Sequence, residues 1–244
     1  MTYKRIMLKL SGEALGASDS GHGIDTDCVR HLASQVARVA KSGVEVAIVC
    51  GGGNILRGAE FSELGAERAS ADYMGMLATI INCLALSDAL ESEGLETRVQ
   101  SSLPVSSVAE HFVRRRAIRH LEKGRVVILA GGLGAPLFTT DTAAAQRAVE
   151  LGCEVLLKGT KVDGVYTADP NEDPKATRIE TLSYMEVLRD QLKVMDGTAI
   201  TMCMEHQLPV VVFDLFKEGN LELVAQGQSD IGTTIQSESR VKTK

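Results

Sequence analysis

The sequence has no tryptophan, and aromatic residues make up only 4% of its 244 positions. That shortage argues against a base-stacking nucleic-acid surface or an aromatic cage. Positive charge is also scarce: 26 Lys and Arg against 32 Asp and Glu give a formal net charge of −6, which disfavours a general affinity for polyanions. A chain of this balance that binds small phosphates must concentrate positive potential locally. Cys28, Cys50, Cys83, Cys153 and Cys203 are scattered and never spaced as C-x-x-C. Neither structural zinc nor a disulfide framework is expected, and a reduced compartment fits. Nowhere do about 18 apolar residues run together. Met1-Thr2-Tyr3-Lys4-Arg5 leads directly into a short apolar strand with no h-region. The expectation is a cytoplasmic, untargeted protein with no membrane partner.

Several motifs are missing as well. There is no G-x-x-x-x-G-K-[ST], which excludes a P-loop NTPase, and no G-x-G-x-x-G after a strand, which removes the main support for dinucleotide binding. The protein-kinase set and G-x-S-x-G are also absent. The basic run Val113-Arg114-Arg115-Arg116-Ala117-Ile118-Arg119 reads as the solvated face of a helix, with no nucleic acid expected as partner.

What is present is an ordinary globular balance of 44% hydrophobic and 24% charged residues. Ile6–Leu10, Val44–Cys50, Thr97–Gln100, Val126–Ala130, Val155–Lys158 and Val210–Phe213 read as strands, most of them buried on both faces. Amphipathic helices are expected over Asp25–Lys41, Ser70–Glu91, Val108–Glu122, Thr142–Leu151 and Ile200–His206. Strands separated by helix-length segments imply parallel pairing with right-handed crossovers. The fold class is α/β: a three-layer α/β/α sandwich around a mainly parallel central sheet, in one domain spanning 1–244. The segment Asp72–Leu90 is apolar over most of its circumference, so it is expected to be buried on nearly all sides, as a core helix or against another subunit.

In an open α/β sheet, ligands bind beyond the carboxyl ends of the strands. Lys9-Leu10-Ser11-Gly12 closes the first strand, where an ammonium and turn N–H groups can meet phosphate oxygens. Gly51-Gly52-Gly53-Asn54 follows the second, with Arg57 beyond it. Three glycines in a row lose much chain entropy on folding, so close approach of an anion is the preferred reading over a crowded chain crossing. Gly131 to Asp141 follows the strand Val126–Ala130. It adds the hydroxyls of Thr139 and Thr140 and a carboxylate, Asp141, that reads equally as a helix N-cap or as a reacting-centre group. The segment Lys158 to Pro170 carries Lys158, Lys161, Asp163, Tyr166, Thr167 and Asp169. That set suits nucleotide binding, although a solvated hairpin accounts for it too.

Taken in order, these loops resemble the amino acid kinase superfamily and, within it, the bacterial-type UMP kinases. The resemblance runs from Lys4 to about Ile235. Its most specific stretches are Lys9-Leu10-Ser11-Gly12-Glu13-Ala14-Leu15 and Asp72-Tyr73-Met74-Gly75-Met76-Leu77-Ala78-Thr79. The resemblance implies transfer of a phosphoryl group from ATP, with Mg²⁺ as cofactor, to UMP in pyrimidine nucleotide biosynthesis. It implies that Lys9, Asp141, Lys158 and Asp196 surround the reacting centre. Lys9, Leu10, Ser11, Gly12, Gly53, Arg57, Thr160, Tyr166 and Asp169 would contact ATP. Gly52, Asp72 and the loop Leu133, Gly134, Ala135, Pro136, Leu137, Phe138, Thr139, Thr140 would contact UMP. Mg²⁺ would be held through the ATP phosphates, with no protein ligand identified. GTP as activator and UTP as inhibitor would act through Ala17, Ser18, Asp19, Ser20, Gly21, His22, Arg98 and Arg125, in a homohexamer built from dimers.

Three departures stand out. Gly132-Leu133-Gly134-Ala135-Pro136 replaces the usual Gly-Thr-Gly-Asn-Pro, so two polar side chains are gone from the acceptor loop. Gly21-His22-Gly23-Ile24-Asp25 replaces Gly-Phe-Gly-Ile-Asp, and Ser87 stands where relatives carry an effector-binding Arg. The alternatives are an acetylglutamate, aspartate or carbamate kinase of the same superfamily, or a non-catalytic nucleotide-binding or storage protein on the same fold.

Overall fold

The computed structural model describes residues 2–17, 20–56, 65, 67–168, 173, 175–192, 194–228 and 230–237. Strand β1 (Arg5–Leu10) is at the centre of a nine-stranded sheet. On one side lie β2 (Glu45–Cys50), β5 (Val126–Ala130), β3 (Thr97–Ser101) and the two-residue β4 (Glu110–His111). On the other side lie β6 (Val155–Thr160), β10 (Val210–Asp214), β11 (Gly232–Gln236) and β9 (Thr181–Ser183). Every pairing is parallel except β10 with β11. A separate antiparallel pair joins β7 (Val165–Tyr166) to β8 (Arg178–Ile179). The order runs outward in both directions from β1, so the carboxyl ends of the central strands form the switch point where such sheets bind ligands.

Side chains alternate between the two faces of each strand. Ile6, Leu8 and Leu10 pack on one face with helices α1 (Thr26–Lys41), α2 (Arg68–Ser92) and α7 (Asn220–Ala225). Met7 packs on the other, with α3 (Arg114–Leu121), α4 (Thr140–Leu151), α5 (Tyr184–Arg189) and α6 (Gly197–Glu205). The same period places Lys9 on the Met7 face, toward α4. Each face thus carries its own apolar core, which is the three-layer arrangement expected.

One expectation needs correction. The segment Val108–Glu122 is not one helix: Glu110–His111 pair in parallel with Gln100–Ser101, and the helix begins only at Arg114. Glu110 accepts from Gln100 Nε2 at 2.9 Å, a tie to β3 that holds this stretch extended. Helix α2 leaves one apolar stripe outward, as burial completed against another subunit would require. Tyr73, Met74, Leu77 and Ile81 are 40–49% exposed and form a stripe at helical spacing. By length and composition α2 matches a membrane span, but half of its most apolar window is buried within the protein. Asn82 on the same helix is fully buried and hydrogen-bonded, so α2 is a core helix with one apolar face outward. The Arg114–Arg119 run is, as expected, solvent-exposed at Arg114, Arg115, Arg116 and Arg119.

Candidate active site

Lys9 on β1 and Lys158 on β6 are direct register partners on adjacent parallel strands. Two neighbouring ammonium groups repel each other, and Asp141 resolves the conflict. Its Oδ1 lies 2.8 Å from Lys9 Nζ and its Oδ2 lies 2.8 Å from Lys158 Nζ. All three side chains are 14% exposed or less. Burial alone would raise the Asp141 pKa, but Lys9 and Lys158 outweigh it and hold the carboxyl below its ordinary 3.8. Burial lowers Lys158 below its ordinary 10.5, with Asp141 opposing and Lys9 reinforcing the shift. Lys158 also donates to the carbonyl of Val194.

Asp141 is not the N-cap of α4. Thr139 takes that role, accepting from the N–H groups of Asp141 at 3.0 Å and Thr142 at 3.3 Å. Asp141, one residue into the helix, is therefore free to turn its carboxylate to the lysines. Asp196 caps α6 through Ala199 N and accepts from Thr139 Oγ1 at 2.5 Å and Thr142 Oγ1 at 2.9 Å. The starts of α4 and α6 are thereby tied together beside the paired lysines. Helix N-termini favour anions.

Beside this centre lies a cleft of about 510 Å³. Lys9, Ser11, Gly12, Gly52 and Gly53 line one side, and Asp72 and Gly75 come from α2. Leu133, Ala135, Phe138, Thr139 and Thr140 close the other. Gly134, Pro136 and Leu137 shape that loop without lining the cleft. Asp72 ties α2 to that loop, accepting from Leu137 N at 2.8 Å and from Arg68 Nε at 2.9 Å. Gly131, Gly132, Gly134 and Leu137 all have left-handed backbone, with φ of 75°, 54°, 72° and 71°. For Leu137 that conformation is strained.

Part of the Gly51–Gly53 motif has a reason other than an anion. A Cβ on Gly51 would come within 2.8 Å of Gly12 N, and one on Gly52 within 2.8 Å of Gly75 O. Crowding of three chain segments therefore already demands two of the glycines. The same crossing is held by two buried amides. Asn82 Nδ2 donates to Gly51 O at 2.8 Å and to Asn54 Oδ1 at 2.7 Å, while Asn54 Nδ2 donates to Gly23 O at 2.6 Å.

Other predicted residues lie elsewhere. Leu10 is fully buried on the opposite face of the sheet. Thr160 ends β6 and Tyr166 lies on β7, both outside the cleft lining, where Thr160 Oγ1 donates to Val162 O at 2.6 Å and Tyr166 Oη to Asp163 at 2.7 Å. Arg57, Asp169, Ser18 and Asp19 fall outside the described residues. The effector set is split within the chain. Ala17, Ser20, Gly21 and His22 follow the carboxyl end of β1, whereas Arg98 and Arg125 sit at the amino ends of β3 and β5. Both arginines pair there with Glu96, at 3.8 Å and 2.7 Å. Ser87 is buried, its hydroxyl 2.6 Å from that of Thr97. Sequence reasoning missed Asn82, Ser102 and Arg147. An Asn inside an otherwise apolar helix was the one available signal among them.

A parallel α/β/α sheet with paired lysines, a bridging carboxylate and glycine loops at its carboxyl edge defines a phosphotransferase of the kind that works without a P-loop. The model of the amino acid kinase family matches residues 4–214, and the chain belongs to that family. It is similar over 98% of both chains to the UMP kinase from Bacillus anthracis, with 38% identity and a TM-score of 0.94. The UMP kinase from Ureaplasma parvum aligns with 97% of this chain and all of its own at 37% identity, with a TM-score of 0.90.

Proposed function

We propose that this chain is a UMP kinase, transferring the γ-phosphoryl group of Mg-ATP to UMP to give UDP and ADP. The observation that carries this reading is the cleft itself: Asp72, residues of the 131–140 loop, Lys9 and the glycine turns line one opening. Full-length similarity to two UMP kinases points the same way. The acceptor is already an anion at neutral pH, so no strong general base is needed. The task is to hold two polyanions in line and offset charge on the transferring group. Lys9 and Lys158 supply that charge, the N–H groups of Gly12 and Gly53 face the phosphates, and Asp141 keeps the two ammonium groups in place. Asp72 orients the nucleoside end of UMP. Thr160 and Tyr166, outside the acceptor cleft, suit the adenine nucleotide.

The residues fit Mg²⁺ carried on nucleotide phosphates rather than in a protein cage. Both oxygens of Asp141 face lysines, and those of Asp196 face hydroxyls and an N–H. Among the described residues, no group of three His, Cys, Asp or Glu could hold a cation. When bound, Mg²⁺ supplies further positive charge to the transferring phosphoryl group.

The exposed stripe Tyr73, Met74, Leu77 and Ile81 suits a dimer face within a homohexamer, and the scattered cysteines, never spaced as C-x-x-C, suit the cytoplasm. Control by GTP or UTP would rest on Arg98 and Arg125, since Ser87 is turned inward. The test is ADP release from Mg-ATP with UMP, CMP, dUMP, AMP, acetylglutamate or aspartate, each with and without GTP. Turnover confined to UMP is expected. No turnover with any acceptor, from protein that still binds ATP, would replace this reading with a storage or regulatory one.

A further inference from the structure

Ser102 follows directly on β3, beside the acceptor loop. Its hydroxyl donates to the carbonyl of Gly132 at 2.8 Å, and it accepts from Arg147 Nη2 at 3.1 Å. Arg147 lies on α4 and is only 7% exposed. It is paired with Glu150 at 2.5 Å, and its guanidinium lies 3.7 Å above the centre of the Phe112 ring. A Cβ on Gly134 would come within 3.0 Å of Ser102 O, so Ser102 also sets the closest approach of the loop. The chemistry gives this chain a direction. A guanidinium has no acceptor, so the Ser102 oxygen must receive from Arg147, and its single proton is left for Gly132.

We propose that Arg147 and Ser102 act as a positioning clamp for the acceptor loop. Arg147 fixes the Ser102 rotor, Ser102 holds the Gly132 carbonyl, and that contact sets where the following N–H groups point. The inference rests on reading the cleft as the UMP site. Leu133 and Ala135 offer no polar side chain there, so that stretch of the loop can meet an acceptor phosphate only through backbone donors, and small backbone shifts matter more.

The test compares Ser102→Ala, Ser102→Thr and Arg147→Met in steady-state kinetics with both substrates varied. Ser102→Ala is expected to raise KM for UMP about tenfold, the scale of one hydrogen bond, with kcat and KM for ATP within about twofold. Ser102→Thr, which keeps the hydroxyl, restores KM for UMP. Arg147→Met gives a similar rise, and the double variant is no worse than either single. Should Arg147→Met not fold, the two Ser102 variants decide. A lowered Tm with KM for UMP unchanged, or equal rises for both substrates, overturns the clamp and leaves these residues as packing. Wild-type protein inactive on UMP overturns the site reading and the clamp with it.

Discussion

The charged centre and the loop that closes the cleft beside it form two walls of the site, built from different materials. Lys9, Lys158 and Asp141 sit on neighbouring strands and the first turn of a helix, with contacts of 2.8 Å between charged side chains. The loop from Gly131 to Thr139 instead works through its backbone, with left-handed residues at Gly131, Gly132, Gly134 and Leu137. It is pinned from outside by Thr79 on Gly131 N, Ser102 on Gly132 O and Asp72 on Leu137 N. A wall made of charges is tuned by single side chains and fails abruptly when one is lost. A wall made of peptide groups is tuned by its supports and fails by degrees.

The largest effect is therefore expected on the charged wall. Lys9→Ala should lower kcat by on the order of 10²–10³ while the circular dichroism spectrum stays native. Near-normal turnover of a folded variant would remove Lys9 from the mechanism. Asp141→Asn sharpens the contrast through stability. It leaves two buried lysines without their counter-charge and should cost on the order of 3 kcal/mol at neutral pH. Because Asp141 is held below 3.8 in the folded protein, its contribution is present above that pH and is lost as pH falls through the lowered value. In urea denaturation without nucleotide, the gap between wild type and variant should narrow below pH 3.8; a constant gap would contradict the charge account. The smallest effect belongs to the backbone wall. Leu137 is 71% exposed with φ of 71°, so Leu137→Asn should gain roughly 0.5 kcal/mol by relieving strain. A raised urea midpoint at unchanged m would show it.

The charged wall was also the more legible one. A Lys ending an apolar strand before Ser-Gly, and a second Lys before Gly-Thr, carry their chemistry in residue type and position. Asp141 was ambiguous until Thr139 proved to be the cap. The central strands were readable because apolar residues fill both faces. In contrast, β11, with the sequence GTTIQ, has little apolar signal, and the two residues of β4 are extended by partners rather than by propensity. The supports of the backbone wall were hidden for a related reason. Ser102 and Arg147 are 45 positions apart and meet only after β3 and α4 have packed. Likewise, nothing in the apolar run of α2 says which stripe faces out.

The amide pair at the glycine crossing has a consequence for how the protein responds to its medium. Asn54 and Asn82 are 2% and 0% exposed, carry no charge and do not titrate. Their bonds are neither screened by ionic strength nor switched by protonation, unlike the lysine–carboxylate centre a few residues away. On acidification the lysine–carboxylate centre should lose its charge pairing, whereas the amide bonds at the glycine crossing are not themselves titrated.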